Sequence, residues 1–313
     1  MINIALIGFG VVNSGVYEIF EEKREDIEKA INDKFEINKI LVKNKEKHKD
    51  VKNLLLNDIS EIIDDKNIDL VIEATGKTDE IIDDIKKILK SKNLISSNKA
   101  LISKYLEDLN KISKTYKKKL KFDSAVGGAI PLIENLYPIK ILNDVEKISG
   151  IFNGSSNFIL SKMQEGLDFK SALKIAQDLG YAESDPSDDI DGIDSMRKLK
   201  IVSAILFGKN IKENMIEVHG IRNITNNDIK KANSIGKTYK LIAYADKDGL
   251  YKVSPEIIDK NSIFAMVNNN ENIFEIKTSN AKTLTFKGSG AGKRETAFAV
   301  LNDFLKIYGN IQL

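Results

Sequence analysis

Apolar and polar positions alternate in two rhythms along the first third of the chain. "INIALI" (2–7), "FEINKILV" (35–42) and "IDLVIEATG" (68–76) are short apolar runs of strand length that end in small or polar residues. Between the first two lies "VYEIFEEKREDIEKAI" (16–31), whose apolar residues recur at helical spacing. "LISSNKALIS" (94–103) reads as a further strand leading into a polar turn, and "LKFDSAVGGAIPLIENL" (120–136) repeats the pattern. Strands alternating with helices predict a parallel sheet, and ligands bind beyond the carboxyl ends of such strands. Gly8–Gly15, Thr75-Gly76, Asn98-Lys99 and Gly127-Gly128 all fall at such ends.

The pattern changes after Pro138. "DVEKISGIFNGSSNFILSKM" (144–163) reads as strand, polar turn and helix, with Ser155 and Ser156 as cap residues and the turn as a possible anion seat. "FKSALKIAQDLGYAE" (169–183) is an amphipathic helix stopped by Gly180. The carboxylate-rich "ESDPSDDIDGIDSMRK" (183–198) follows, with Asp191-Gly192 as a helix start. It runs into the almost wholly apolar "LKIVSAILFG" (199–208), so this helix is expected to enter the core. Asp194 and Lys198 stand four apart on one face, either as a surface pair or as a buried pair in which the lysine can work as an acid or base. "LTFKGSG" (284–290) and "TAFAVLNDFLKIY" (296–308) close the chain as strand and helix. "GSGAG" (288–292) between them is a second glycine turn, suited to cover a cofactor or to serve as a loop, and "NNNEN" (268–272) reads as an exposed turn.

Composition narrows the classes. The chain has 313 residues, enough for one large or two ordinary domains, and 42% of them are apolar. No apolar run approaches the roughly 20 residues of a membrane span. The N-terminus lacks the basic flank and cleavage site of a signal peptide. Zero cysteines exclude disulfides, thiolate nucleophiles and cysteine metal sites, and fit a cytoplasmic protein. With 48 basic and 46 acidic residues the net charge is +2, which argues against a nucleic-acid binder; Lys117-Lys118-Lys119 reads as a solvated helix end.

The strongest chemical signal is strand, glycine turn, helix at residues 2–31, the context of a dinucleotide loop. Gly8 permits the tight turn and Gly10 lets backbone approach a pyrophosphate at the helix N-terminus. The third glycine of the fingerprint would fall at Asn13, and Gly15 comes two residues later. A carboxylate for the cofactor ribose belongs just beyond the second strand, but Lys43-Asn44-Lys45 stands there. A cation at Lys43 suits a 2′-phosphate and hence NADP; it is also compatible with an ordinary exposed lysine. Lys99, between Asn98 and Ala100, lies where a nicotinamide would point.

"GFGVV", "NKALIS", "AVGGAIP", "GIFNGSSNFIL", "AQDLGYAESDPSDDIDGIDSMRKLKI" and "GAGKRETA" resemble, in order and rough spacing, the homoserine dehydrogenase family over nearly the whole chain. The resemblance implies an α/β fold with a Rossmann-type NAD(P)-binding domain at 1–137, to which 294–313 return. An α+β substrate and dimerisation domain at 138–293 would complete a homodimer. It implies reversible hydride transfer between L-homoserine and L-aspartate 4-semialdehyde, on the route to threonine and methionine. Carried over by motif, Lys198 donates the proton to the developing alkoxide and Lys99 assists, the two flanking the reacting oxygen. Glu183 and Asp194 bind the substrate ammonium and orient Lys198, and Asp189 holds the network. Tyr181, Gly154 and Ser155 line the amino-acid pocket. The expected cofactor contacts are Gly8, Phe9, Gly10, Val11, Val12, Lys43, Thr75, Gly76, Asn98, Lys99, Gly290 and Thr296. Backbone oxygens of Val126 and Gly128 are candidates for a monovalent cation such as Na+.

Three departures stand out: Asn13 for glycine, Ser155-Ser156 where threonines are common, and Asp123 where glutamate is frequent. The length implies an enzyme without an attached aspartate kinase or threonine-sensing domain. Two rivals share the fold. A thioester-forming semialdehyde or phosphoglyceraldehyde dehydrogenase needs a cysteine, which is missing. A hydroxy-acid dehydrogenase needs a histidine base, whereas His48 and His219 stand in no acid–base pattern. A non-catalytic NADP-binding sensor is the alternative outside enzymes, and it would have no reason to keep Lys198 and Glu183 together.

Overall fold

A computed structural model describes residues 1–309 and divides the chain into two compact units, residues 1–125 with the segment from Lys293 onward, and Val126–Gly292. The expected division at 137/138 is displaced. Helix Ile133–Leu142 packs against helix Ile193–Phe207 in the second unit, and Pro138 lies inside it.

The first unit is built on six parallel strands: β1 (Ile2–Ile7), β2 (Phe35–Leu41), β3 (Leu55–Leu56), β4 (Leu70–Glu73), β5 (Asn93–Ser96) and β6 (Leu120–Lys121). Their spatial order is β3-β2-β1-β4-β5-β6, the Rossmann order, which reverses direction at β1/β4. All four residues of β4 are buried, as expected for a strand covered on both faces. Phe20, Phe35 and Phe304 stack with centroids 4.5 and 5.1 Å apart from Phe20, joining helix Val11–Glu22 and β2 to the last helix, Lys293–Tyr308. Gly15 makes that helix pairing possible: a Cβ there would lie 2.8 Å from the carbonyl oxygen of Lys293.

Several local expectations are corrected. The first helix starts at Val11, directly after the glycine turn, and breaks at Lys23 before Arg24–Ile31. β3 is two residues long and leaves no periodic trace. "NKALIS" is not strand: Asn98 caps a helix, Lys99–Tyr116, its side chain accepting from the amide of Leu101 at 3.1 Å. Cap chemistry and long-range periodicity override the short apolar run there.

The second unit carries a mixed sheet: β7 (Val145–Ile151), β8 (Glu217–Val218), β9 (Lys237–Asp246), β10 (Tyr251–Asp259), β11 (Glu271–Thr278) and β12 (Thr283–Ser289), ordered β12-β11-β7-β9-β10-β8. Only β8/β10 is parallel among its pairs. Helices Gly154–Gln164 and Ile193–Phe207 pack on β9. "NNNEN" is only in part an exposed turn, since Glu271 begins β11 and Asn272 is fully buried. No helix among the described residues is long and apolar enough to cross a membrane.

Candidate active site

In the first unit the glycine turn leaves β1 at Gly8, whose φ of +83° is a left-handed conformation that glycine tolerates without strain. A Cβ on Gly8 would lie 2.9 Å from the carbonyl oxygen of Ala74, so the turn is pressed against the loop after β4. Gly10 caps the helix, and a Cβ there would meet nothing within 4 Å. Open space thus faces the helix N-terminus, where a pyrophosphate would find amide donors and a positive dipole end. A cavity of about 1330 Å³ lies over the turn, lined by Gly8, Phe9, Gly10, Lys43 to His48 and Thr75, among others. Of the expected cofactor contacts, Val11, Val12, Gly76, Asn98, Lys99, Gly290 and Thr296 do not line it.

Asn13 is fully buried. Its Nδ2 donates to the carbonyls of Gly8 (2.8 Å), Ile7 (3.2 Å) and Ile72 (3.3 Å). The amide therefore ties the turn to β1 and β4, where a glycine would have given only closeness.

Glu73, which the sequence reading did not single out, organises the neighbouring loops. Its Oε1 accepts from the amide (2.8 Å) and hydroxyl (2.7 Å) of Thr75, and its Oε2 from the Ser96 hydroxyl at 2.6 Å. Asn98 Nδ2 donates to Glu73 Oε1 at 3.3 Å and to the Lys77 carbonyl at 2.6 Å. Lys99 follows as the first, half-buried residue of its helix. The signal was a lone carboxylate ending a wholly apolar strand.

In the second unit helix Ile193–Phe207 has no exposed residue, so its polar side chains are carried inward with its apolar ones. Lys198 is 6% exposed and Asp194 1%. Their Nζ and Oδ2 are 3.0 Å apart, and Lys198 also donates to the Phe152 carbonyl at 2.8 Å. Asn153 gathers the acids: its Nδ2 donates to Asp189 Oδ1 (2.7 Å) and Asp194 Oδ2 (2.8 Å). Its Oδ1 accepts from the Ser156 amide at 2.7 Å, so Asn153 is the cap of helix Gly154–Gln164, and the expected caps Ser155 and Ser156 lie inside the first turn. The missed signal was an asparagine, among the preferred cap residues, just before "GSS".

The remaining acids of 183–194 separate. Asp191 is not the N-cap of helix Ile193–Phe207: its side chain forms a forked pair with Arg222 at 2.7 and 2.9 Å, and that guanidinium holds its carboxyl below the usual range. Asp188 pairs with Arg197, and Asp185 accepts from the hydroxyl and amide of Ser187, which lower its pKa. The helix cap position belongs to Gly192, at φ +84°. Glu183 is exposed on the turn, with its backbone carbonyl held by Gln177 at 3.0 Å. Ser155 donates to the Tyr181 carbonyl at 2.5 Å, and the Tyr181 ring packs on Phe158. Gly154 approaches the chain closely, since a Cβ would lie 2.6 Å from the Asn270 carbonyl oxygen. Gly128, at φ +60°, is pressed against Gly290, and Gly290 against the Asn272 amide. His48 packs edge-on to Phe9, and His219 is an exposed partner of Glu217.

A dehydrogenation needs a held hydride carrier and a group that manages the hydroxyl proton. The glycine turn at the sheet's switch point has the form of a dinucleotide seat, and the buried lysine–aspartate pair is a candidate for the second task. That is the equipment of a nicotinamide-dependent oxidoreductase. Residues 8–123 match the family model "Homoserine dehydrogenase, NAD binding domain" and residues 131–305 the model "Homoserine dehydrogenase". The homoserine dehydrogenase of Bacillus subtilis is 32% identical over 320 residues, covering 100% of this chain and 74% of that one. The crystal structure of a homoserine dehydrogenase from Thiobacillus denitrificans superposes with a TM-score of 0.93 at 31% identity, over 98% of this chain and 73% of that one. A hyperthermophilic archaeal homoserine dehydrogenase in complex with NADPH superposes at 0.83 and 27% identity, over 97% of each chain. The chain belongs to the homoserine dehydrogenase family. It is an NAD(P)-dependent oxidoreductase acting on the CH–OH group of L-homoserine, a step of amino-acid biosynthesis.

Proposed function

We propose that Lys198 handles the hydroxyl proton of L-homoserine in its reversible conversion to L-aspartate 4-semialdehyde. The observation that carries this reading is the buried ion pair of Lys198 with Asp194, fixed by Asn153 and the Phe152 carbonyl. In oxidation the neutral amine of Lys198 accepts the hydroxyl proton. In reduction its ammonium returns that proton to the developing alkoxide. Asp194 favours the ammonium and aims it. Bound nicotinamide would supply the hydride acceptor or donor. Lys99 is proposed as the assisting cation. Glu183 and Asp189 serve the substrate ammonium, with Tyr181, Gly154 and Ser155 around it.

For the cofactor we propose NADP over NAD, held by Gly8, Phe9, Gly10, Val11, Val12, Lys43, Thr75, Gly76, Asn98, Gly290 and Thr296. Support comes from Lys43 beyond β2, with Lys45, Lys47 and His48 lining the same cavity, and from the NADPH bound by the archaeal relative. Carbonyl oxygens of Val126 and Gly128 are proposed for a monovalent cation such as Na+. Homodimeric assembly and a cytoplasmic location rest on the family likeness alone.

NADP+ reduction by L-homoserine, followed by cofactor absorbance in wild type and Lys198→Ala, tests the reading. Loss of homoserine-dependent reduction in a variant that still binds cofactor is expected. Turnover that survives would move the proton to Lys99 or water and overturn the role given to Lys198.

A further inference from the structure

Lys240, on β9, is completely buried, and among the described residues no carboxylate is within ion-pair distance of its ammonium. Its Nζ reaches three neutral oxygens instead: Asn157 Oδ1 at 3.0 Å, the Val267 carbonyl at 2.5 Å and Asn268 Oδ1 at 3.2 Å. Glu271 acts on it only through space and is itself bridged to Lys287 at 3.0 Å. Burial pushes the lysine down to about 8, so it still carries its charge at neutral pH. Asn157, on helix Gly154–Gln164, adds three bonds from Nδ2 to the carbonyls of Val267 (3.1 Å), Asn269 (3.1 Å) and Glu271 (3.3 Å). Lysine and asparagine together strap the 267–271 turn onto that helix. The same turn abuts the helix's first residue, where the Asn270 carbonyl meets Gly154. The helix cap one residue earlier is Asn153, which holds Asp189 and Asp194.

We infer that Lys240 is a positioning residue for the substrate site, its ammonium acting as a built-in monovalent cation that clamps the 267–271 turn to the helix capped by Asn153, the residue that holds Asp189 and the Lys198 partner Asp194. The inference rests on the substrate reading of that cluster. Stability does not explain the lysine. A charge buried without a counter-ion costs free energy that three neutral acceptors offset only in part. What methionine cannot do is draw two side-chain amide oxygens and a carbonyl to one point.

Lys240→Met is expected to raise the KM for L-homoserine about tenfold while leaving the KM for NADP+ within about twofold. In Lys240→Ala, ammonium or methylammonium should recover part of the homoserine KM, and tetramethylammonium at equal ionic strength should not. Asn268→Ala, on the exposed turn, removes one oxygen of the ring without touching the core and should raise the same KM about threefold. It carries the test alone should Lys240→Met not fold. The inference is overturned if homoserine KM stays at the wild-type value in these variants. It is equally overturned if homoserine and NADP+ suffer alike and no ammonium ion helps. Lys198→Met run in parallel separates the two levels. Homoserine turnover that survives it removes the substrate reading, whereas a dead Lys198→Met beside neutral Lys240 variants removes only the clamp.

Discussion

Lys198 Nζ lies 3.0 Å from Asp194 Oδ2, one helical turn earlier on the same helix, and both side chains are out of water. Breaking such a pair from one side leaves a buried charge without compensation. Asp194→Ala is expected to cost about 3–5 kcal/mol of stability. The double variant Asp194→Leu/Lys198→Met should regain most of it while remaining inactive. Urea midpoints of the three proteins check this, and a double variant no more stable than Asp194→Ala would contradict it.

Asn153 bridges Asp189 and Asp194 with one NH2 group and caps the next helix with its oxygen. Asn153→Asp would turn two attractive contacts into repulsions between carboxylates. Activity should fall by about 10- to 100-fold in kcat/KM, corresponding to about 1–3 kcal/mol. Steady-state kinetics with homoserine as the varied substrate measures it.

The Asn13 amide holds three carbonyls that no glycine could reach. Asn13→Gly restores the usual fingerprint, yet it should lower stability by about 1–3 kcal/mol and leave NADP affinity no better. Thermal unfolding and cofactor titration of this variant decide it. Tighter cofactor binding would show that Asn13 obstructs the turn.

Lys43 stands where an NAD-selective site would place an acid. Lys43→Glu is expected to raise the KM for NADP+ about tenfold and to change that for NAD+ by less than about twofold, because only the former carries a 2′-phosphate. Equal effects on both cofactors would remove Lys43 from the selectivity argument.

The pKa of Lys240 falls from 10.5 to about 8 on folding, so between these values the unfolded chain binds more protons than the native one. Stability should then rise with pH across that window, by up to about 3 kcal/mol from this group. Tyr308, pushed up to about 12 by burial, works in the opposite sense above pH 10, so the difference between wild type and Lys240→Met is the quantity to follow. A difference that is flat from pH 8 to 10 would contradict the assignment.

β1, β2 and β4 were legible because buried parallel strands are written as continuous apolar runs. The pair of Asp194 with Lys198 was legible because helical spacing puts them on one face and the apolar segment after them draws that helix inward. "NKALIS" misled for a physical reason: an apolar run of that length fits either period, and the Asn98 cap decides it. Glu73, Asn153 and Lys240 went unseen because their roles depend on partners far along the chain: Ser96 for Glu73, Asp194 for Asn153, Val267 for Lys240. Of the carboxylates between 183 and 194, composition could not tell Asp194, buried beside a lysine, from Asp191, paired with an arginine at the surface.

The most direct measurement is single-turnover reduction of NADP+ in preformed complexes with L-homoserine, comparing wild type with Lys198→Met. Cofactor affinity should stay within about twofold, and the hydride-transfer rate should fall about 10²- to 10⁴-fold, the range expected for removal of a general acid–base group. A transfer rate equal to wild type in a variant that binds both ligands would contradict the role of Lys198 at the hydroxyl proton.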